Sequence, residues 1–382
     1  MKKQILFLAF VVLSFLTSIT NVFAQPQDHL TTALSTCPAV TAVTCLTADA
    51  LHPIPGTAYD YTVTVPTPVG STPTFKWFVT QDQEFVKASA ITATAEASDG
   101  TGLHIAATGS GYNDPATGKA TINMTWKGFT KDDAKPVFLV IYVQNPATCS
   151  NDNMQVYIIE PIHAFTLDVA NVGLDGATHP TGWDGPCAAP VASAKYDVGT
   201  KTVLMNYGIN YLYFAVTAAN YTGAWKPSFQ VTSATINATG GRKVNAVDWT
   251  YPATSISTTA TDWHGTTLTG TDYISTDVVK AQSTNKTVGA SGECIVVRVT
   301  VDNGNIETLT AEPIAFAVDG ITMTESAAGS GNYDTNGLGD IDATDCTTDL
   351  FKNDVVNQNI MPRPDIKDGI TPAASTTFIP KN

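Results

Sequence analysis

Apolar and polar residues alternate along much of this chain with the period of two that a half-buried β-strand requires, and almost nowhere with a helical period. Tyr59, Tyr61, Val63 and Val65 alternate with Asp60, Thr62 and Thr64. Phe75-Lys76-Trp77-Phe78-Val79 forms a second run, and Ile122, Met124 and Trp126 alternate with Asn123 and Thr125. Val137 to Val143 is apolar on both faces, as a central sandwich strand would be. Asn145-Pro146 then turns the chain, and Met154 to Glu160 returns it. Turn signals punctuate the series at Ser98-Asp99-Gly100 and at Gly109-Ser110-Gly111-Tyr112-Asn113-Asp114-Pro115.

A second series follows the same order. Tyr211, Tyr213 and Val216 echo the first strand, Ser228 to Val231 the second, and Val244, Val247 and Trp249 the Ile122–Trp126 run. Ile295 to Val301 echoes Val137 to Val143, and Asn303-Gly304 is a tight hairpin signal. Each series ends on a similar stretch, Glu160-Pro161-Ile162 to Asp168 and Glu312-Pro313-Ile314 to Asp319, read as the closing strand of a β-domain used twice. The interval from Trp249 to Ile295 is far longer than its counterpart from Trp126 to Phe138. It marks an insertion over 250–292, rich in Ser, Thr and Gly. The pattern predicts an all-β protein of two tandem antiparallel sandwiches, over 58–170 and 205–320. A lead-in (25–57), a linker (171–204) and an acidic loop with a C-terminal tail (321–382) complete the division.

The first residues change the picture of where the chain works. Lys2 and Lys3, the apolar core Ile5 to Leu16, and Val22-Phe23-Ala24 form a secretory signal with cleavage after Ala24, which implies a secreted or cell-surface protein. No other apolar stretch is long enough to span a bilayer, so no transmembrane segment is expected in the mature chain. The chain carries 20 basic and 34 acidic residues; losing Lys2 and Lys3 takes the formal charge from −14 to −16. That balance excludes nucleic acid as a partner, since phosphate binding needs a basic face. Six cysteines, Cys37, Cys45, Cys149, Cys187, Cys294 and Cys346, are disulfide candidates in an exported chain. None has the spacing of a zinc knuckle.

Phe75-Lys76-Trp77-Phe78, Gly109-Ser110-Gly111, Ile122-Asn123-Met124-Thr125-Trp126, the Val137–Val143 strand and Cys149 together resemble the PKD-like, immunoglobulin-like modules of bacterial cell-surface proteins. The resemblance covers 58–168 well and 205–320 less well. It implies sandwich modules that serve as spacers, adhesion units or carbohydrate-binding accessories. Such a sandwich would also place Cys149 near Cys37 or Cys45, and Cys294 near Cys346.

Candidate sites are sparse. Asp334 to Asp345 looks like the EF-hand-type calcium loop of dockerin modules, with Asp334, Asn336, Asp340, Asp342 and Asp345 as oxygen ligands and Gly339 for the turn. Leu338 occupies a donor position of that loop, and an ordinary acidic turn is the competing reading. Trp263, His264 and Tyr273, in the insertion, are the candidate ligand-binding patch, whose aromatic faces suit a sugar ring. Trp183 and Trp225 read either as exposed aromatics that stack on a sugar ring or as inter-domain packing, and His163 as a surface or interface residue. No GxSxG elbow and no nominated carboxylate pair is present, so no enzyme is expected. Two functions stand open. One is an exported structural or adhesive protein, partnered by cell-surface proteins or by copies of itself through edge strands or the tail. The other is an accessory protein that binds extracellular glycan through the insertion.

Overall fold

A computed structural model describes residues 28–34, 36–66, 72–84, 94–98, 102–129, 132–145, 151–236, 238–252, 263–326 and 330–365. The expected leader, Cys149 and the end of the tail lie outside these residues. The first six strands are β1 (Ala58–Thr62), β2 (Thr74–Thr80), β3 (His104–Ala106), β4 (Thr121–Trp126), β5 (Val137–Asn145) and β6 (Asn151–Ile159). They form two antiparallel three-stranded sheets, ordered β1-β4-β3 and β2-β5-β6. The alternating residues named from sequence face inward: Trp77, Ile122, Met124, Trp126 and Leu139 are fully buried in one core. β5, paired between β2 and β6, turns Leu139 and Ile141 into that core and Val140, beside Phe78, into a smaller cluster on its other face, which is why its sequence is apolar on both faces.

The rest of the chain builds a larger sandwich. Its strands are β7 (Thr166–Val172), β8 (Thr178–His179), β9 (Trp183–Cys187), β10 (Ser193–Asp197), β11 (Thr202–Asn206), β12 (Ile209–Ala219), β13 (Tyr221–Thr222), β14 (Ala224–Thr232), β15 (Lys243–Thr250) and β16 (His264–Thr269). They continue with β17 (Asp272–Ser275), β18 (Val279–Lys280), β19 (Thr287–Val288), β20 (Glu293–Asp302), β21 (Glu312–Glu325), β22 (Tyr333–Gly339) and β23 (Val355–Met361). One layer runs β8-β7-β12-β20-β15; the other runs β17-β14-β21-β23-β9, and β16 joins them. Leu212, Phe214, Val297 and Val299 from the first layer meet Trp225, Phe229, Phe316 and Val318 from the second in a single core.

Several sequence boundaries move. The stretch after Glu160 does not close the first sandwich. β6 does so, and β7 pairs with β12 of the second. Pro161 offers no N–H to a ladder, so the strand ends at Ile159. The second copy lies inside the long central strand β21, between β14 and β23. The 250–292 insertion is no free loop: β16 and β17 close the sandwich, and Trp249 Nε1–H donates to Ser275 Oγ at 2.7 Å. Residues 333–361 supply β22 and β23 rather than a loose tail. Asn303-Gly304 makes no hairpin, because β21 belongs to the opposite layer from β20. Asn303 is buried and its Nδ2 donates to Gly208 O and Asn210 Oδ1.

The lead-in is an extended strap. Leu30 and Leu34 cover the outer face of the first layer against Val172, Tyr213, Ala215 and Val296. The strap is bonded to Leu174, Asp168 and Thr217 as it passes, then crosses to pair with Glu160 and Ile162 before β1 begins. Two disulfides fix it, Cys37–Cys294 and Cys45–Cys346. The expected Cys294–Cys346 pair and the expected bridge from Cys149 to Cys37 or Cys45 are therefore both corrected, because the strap lies across β20 and so brings Cys37 to Cys294, while Cys45 is taken by Cys346. Cys187 is unpaired and exposed. Where strap, first sandwich and second sandwich meet, Gly56 sits at φ 75° and a Cβ there would stand 2.6 Å from Gly289 Cα. Gly56→Ala is expected to lower stability by about 2 kcal/mol or more, combining left-handed strain with a backbone clash. A shift of the urea midpoint measures this, and an unchanged midpoint would show that the contact is not tight.

Candidate functional site

The junction between the sandwiches is closed by the segment that follows β22. Asp340 N–H donates to Gly320 O at 3.1 Å, and Asp349 N–H to Asp340 O at 3.1 Å, so residues 340–349 fold back onto β21. Ile341 N–H reaches Phe165 O at 2.9 Å, and His163 Nε2–H donates to Gly339 O at 2.6 Å. Burial pulls the His163 imidazole below its ordinary pKa, with the bond to Gly339 opposing it. His163, read as a surface or interface residue, is partly buried against this loop. Thr44 N–H donates to Ala343 O, and Cys346 carries the second bridge, so the strap is tied to the same loop.

Four aspartates gather where this loop and the residues after it meet β21. Asp340, Asp349 and Asp354 are 0%, 3% and 9% exposed, and one carboxylate oxygen of each lies within 4.8 Å of the other two. Asp319 of β21 stands against Asp340. The Asp349 oxygens accept the N–H groups of Lys352 and Asn353, both at 3.0 Å. Asp340 Oδ1 accepts Gly320 N–H at 2.9 Å, whereas its Oδ2 has no donor. Among the described residues, no Lys or Arg forms an ion pair with any of the four. Burial, and then Asp319, pushes the Asp340 carboxyl far above the usual carboxylate range. Burial, followed by the charges of Asp349 and Asp168, raises Asp354 as well, and burial raises Asp319. Four carboxyl groups are thus held together out of water with no basic partner, and the upward shifts mean that Asp340 and Asp354 keep their protons near neutral pH unless a cation replaces them.

The calcium loop read from sequence is not assembled. β22 draws Tyr333 to Gly339 out along β21, and an extended strand cannot curl around an ion. Asp334 bonds Ser326, and Asn336 Oδ1 accepts the Thr322 hydroxyl at 2.8 Å. Asp342 and Asp345 close turns on Thr344 and Thr347. Of the five expected ligands only Asp340 enters the acidic cluster. Sequence reading missed Asp319, Asp349 and Asp354. The available signal was that the Asp-rich run continues past residue 345.

The aromatic patch of the insertion is not assembled either. Tyr273 is buried in the core of the second sandwich. Trp263 lies on the opposite face of the β12–β20 layer, and the Arg298 guanidinium covers its ring at 4.3 Å. His264 stacks on Trp249 at 4.2 Å and bonds Asp277 at 2.8 Å. Trp225 is a core residue, and Trp183 stacks on His179 at 3.9 Å.

No family model matches the chain, and no curated protein matches it. The C-terminal domain of the AgI/II polypeptide BspA of Streptococcus agalactiae is similar at 10% identity and a TM-score of 0.23, over 75% of this chain and 82% of that one. The collagen adhesin CNA of S. aureus is similar at 7% identity and a TM-score of 0.20, over 80% of each chain. The collagen binding domain of the Erysipelothrix rhusiopathiae surface protein RspB gives 9% identity and a TM-score of 0.19, over 64% and 68%. These likenesses are slight, and no property passes from them to this chain.

Proposed function

We propose that the protein is an exported, non-enzymatic structural or adhesive component of a bacterial surface or matrix, which associates with copies of itself. The observation that carries this reading is the hairpin β10–β11. It forms a two-stranded sheet of its own and, among the described residues, pairs with no other strand. Tyr196 and Val203 are paired across it on one face, with Ala194 and Met205 beside them, and Tyr196, Val203 and Leu204 are half or more exposed. A projecting sheet with an apolar face and two open edges is the geometry that strand-to-strand association uses.

Export is supported by the two disulfides, which persist in oxidising compartments. Size-exclusion chromatography with light scattering, on the chain from residue 25, tests the proposal. Assemblies larger than one chain are expected, and Tyr196→Asp with Val203→Asp should return them to monomers. A wild-type chain that stays monomeric at high concentration would remove self-association, and an assembly indifferent to the double variant would move it away from the hairpin.

A further inference from the structure

The geometry points to a calcium site at the junction of the two sandwiches, formed by Asp340, Asp349 and Asp354 with Asp319 alongside. This inference stands apart from the adhesive reading, since it concerns how the frame is held rather than what it touches.

Three buried carboxylates converge, each offering an oxygen within 4.8 Å of the others, a spacing that one central cation can bridge. Asp340 Oδ2 is the second, independent pointer. It belongs to a side chain with no exposure, its companion oxygen is already used by Gly320 N–H, and no protein donor reaches it. A buried carboxylate oxygen without a donor is rare in native proteins and calls for a proton or a cation. A basic side chain would do, but none among the described residues pairs with the group.

The donor set selects the cation. All donors are carboxylate oxygens, which suit hard ions and offer nothing to zinc or copper. They come from β21, from the start of the folded loop and from its end, a set of irregular segments. Calcium accepts such uneven geometry, whereas magnesium demands a near-octahedral shell. The Lys352 and Asn353 amides already orient Asp349, as outer-shell bonds orient the ligands of a metal. The consequence is mechanical. The same loop is bonded to Phe165, to His163 through Gly339, and to the strap through Cys346, so an ion there locks strap, linker and second sandwich at one point.

Thermal melting and titration calorimetry on the chain from residue 25 test this, in EDTA, in CaCl2 and in MgCl2. Calcium at about 100 times its dissociation constant should raise the melting temperature by about 5 °C, and magnesium by clearly less. Asp354→Asn removes a ligand that lies outside the Asp334–Asp345 loop. It should melt in EDTA at or above the wild-type temperature, because repulsion is relieved, yet no longer respond to calcium. Asp340→Asn should behave likewise, and Asp345→Asn should respond as wild type does. The calorimetric heat of the unaltered protein decides the matter even where a variant fails to fold. No heat and no calcium shift in the wild type would overturn the site and leave a shared proton as the counter-charge. A calcium response kept by Asp354→Asn and lost by Asp345→Asn would place any ion in the extended loop instead.

Discussion

Replacing Cys37 and Cys294 with Ser, or Cys45 and Cys346 with Ser, is expected to destabilise the protein by about 4 kcal/mol in each case. The bridges join residues 257 and 301 positions apart. With one bridge intact the other still closes a loop of about 60 residues, so each restricts the unfolded chain substantially. The native state loses something too. Without Cys37–Cys294 the strap that places Leu30 and Leu34 over Tyr213, Ala215 and Val296 is held only by hydrogen bonds and that apolar contact. Urea unfolding of both double variants, in a Cys187→Ser background that removes the exposed free thiol, measures the effect. Midpoints that move by less than about 1 kcal/mol, in a domain where a native bridge ordinarily contributes 2–5, would show the strap to be incidental to the fold.

The bridges also set how the chain carries load. Residues 58–159 form the first sandwich, yet the strap that precedes them is bonded covalently to β20 and to the 340–349 loop of the second. Tension entering at the N-terminal segment therefore passes through Cys37 into Cys294 and bypasses the first sandwich. That sandwich hangs from the junction through Gly56, through Gly128 N–H on Thr222 Oγ1 at 2.8 Å, and through the β6–β7 linker.

The strands were readable because a sheet with one face on a core writes its burial into the sequence every second residue. Trp77, Ile122, Met124, Trp126 and Trp249, the large apolar positions of the alternating runs, are fully buried. What escaped reading has no period. The strap is a single extended segment whose contacts alternate between two sandwiches, so Leu30 and Leu34 look like isolated apolar residues in a polar lead-in. The bridges depend on where that strap lies, which cysteine spacing does not encode. The acidic site draws Asp319 from the sequence of a buried strand and its other members from a folded loop, so it has no fixed motif. A compact loop template was matched to Asp334–Asp345 instead, and β22 pairing overrode it. The Glu-Pro-Ile repeat misled in a related way, since similar words stand at the exit of one strand and the start of another.

That repeat leads to the other large expected effect, at the far end of the second sandwich. Arg242→Ala should cost about 4 kcal/mol, because it leaves a mostly buried carboxylate without its cation. Arg242 is 1% exposed, and its guanidinium donates to Asn303 Oδ1 at 2.9 Å, Thr235 Oγ1 at 2.6 Å and Thr308 Oγ1 at 2.7 Å. Glu312, 14% exposed, lies 3.6 Å from the guanidinium and accepts the Thr235 hydroxyl at 2.7 Å. Burial pulls the Arg242 pKa down and the Glu312 charge opposes that, so the pair survives only as a pair. Arg242→Lys should lose about 2 kcal/mol, since one ammonium cannot address three acceptors in the plane of a fork. Arg242→Met combined with Glu312→Leu should recover most of the loss, because removing both charges eliminates the stranded one. Urea midpoints of the single and double variants form the cycle that separates these contributions. A double variant no more stable than Arg242→Ala would assign the loss to packing around the Arg242 stem. A cost below about 1 kcal/mol for Arg242→Ala would mean that the network does not hold this end of the sandwich. The second Glu-Pro-Ile stretch thus pairs its glutamate with a buried arginine, Arg242, well upstream in the same sandwich, whereas the first serves as the exit from β6 toward the junction. The physics of each glutamate's surroundings, rather than the repeated word, fixes what each copy does.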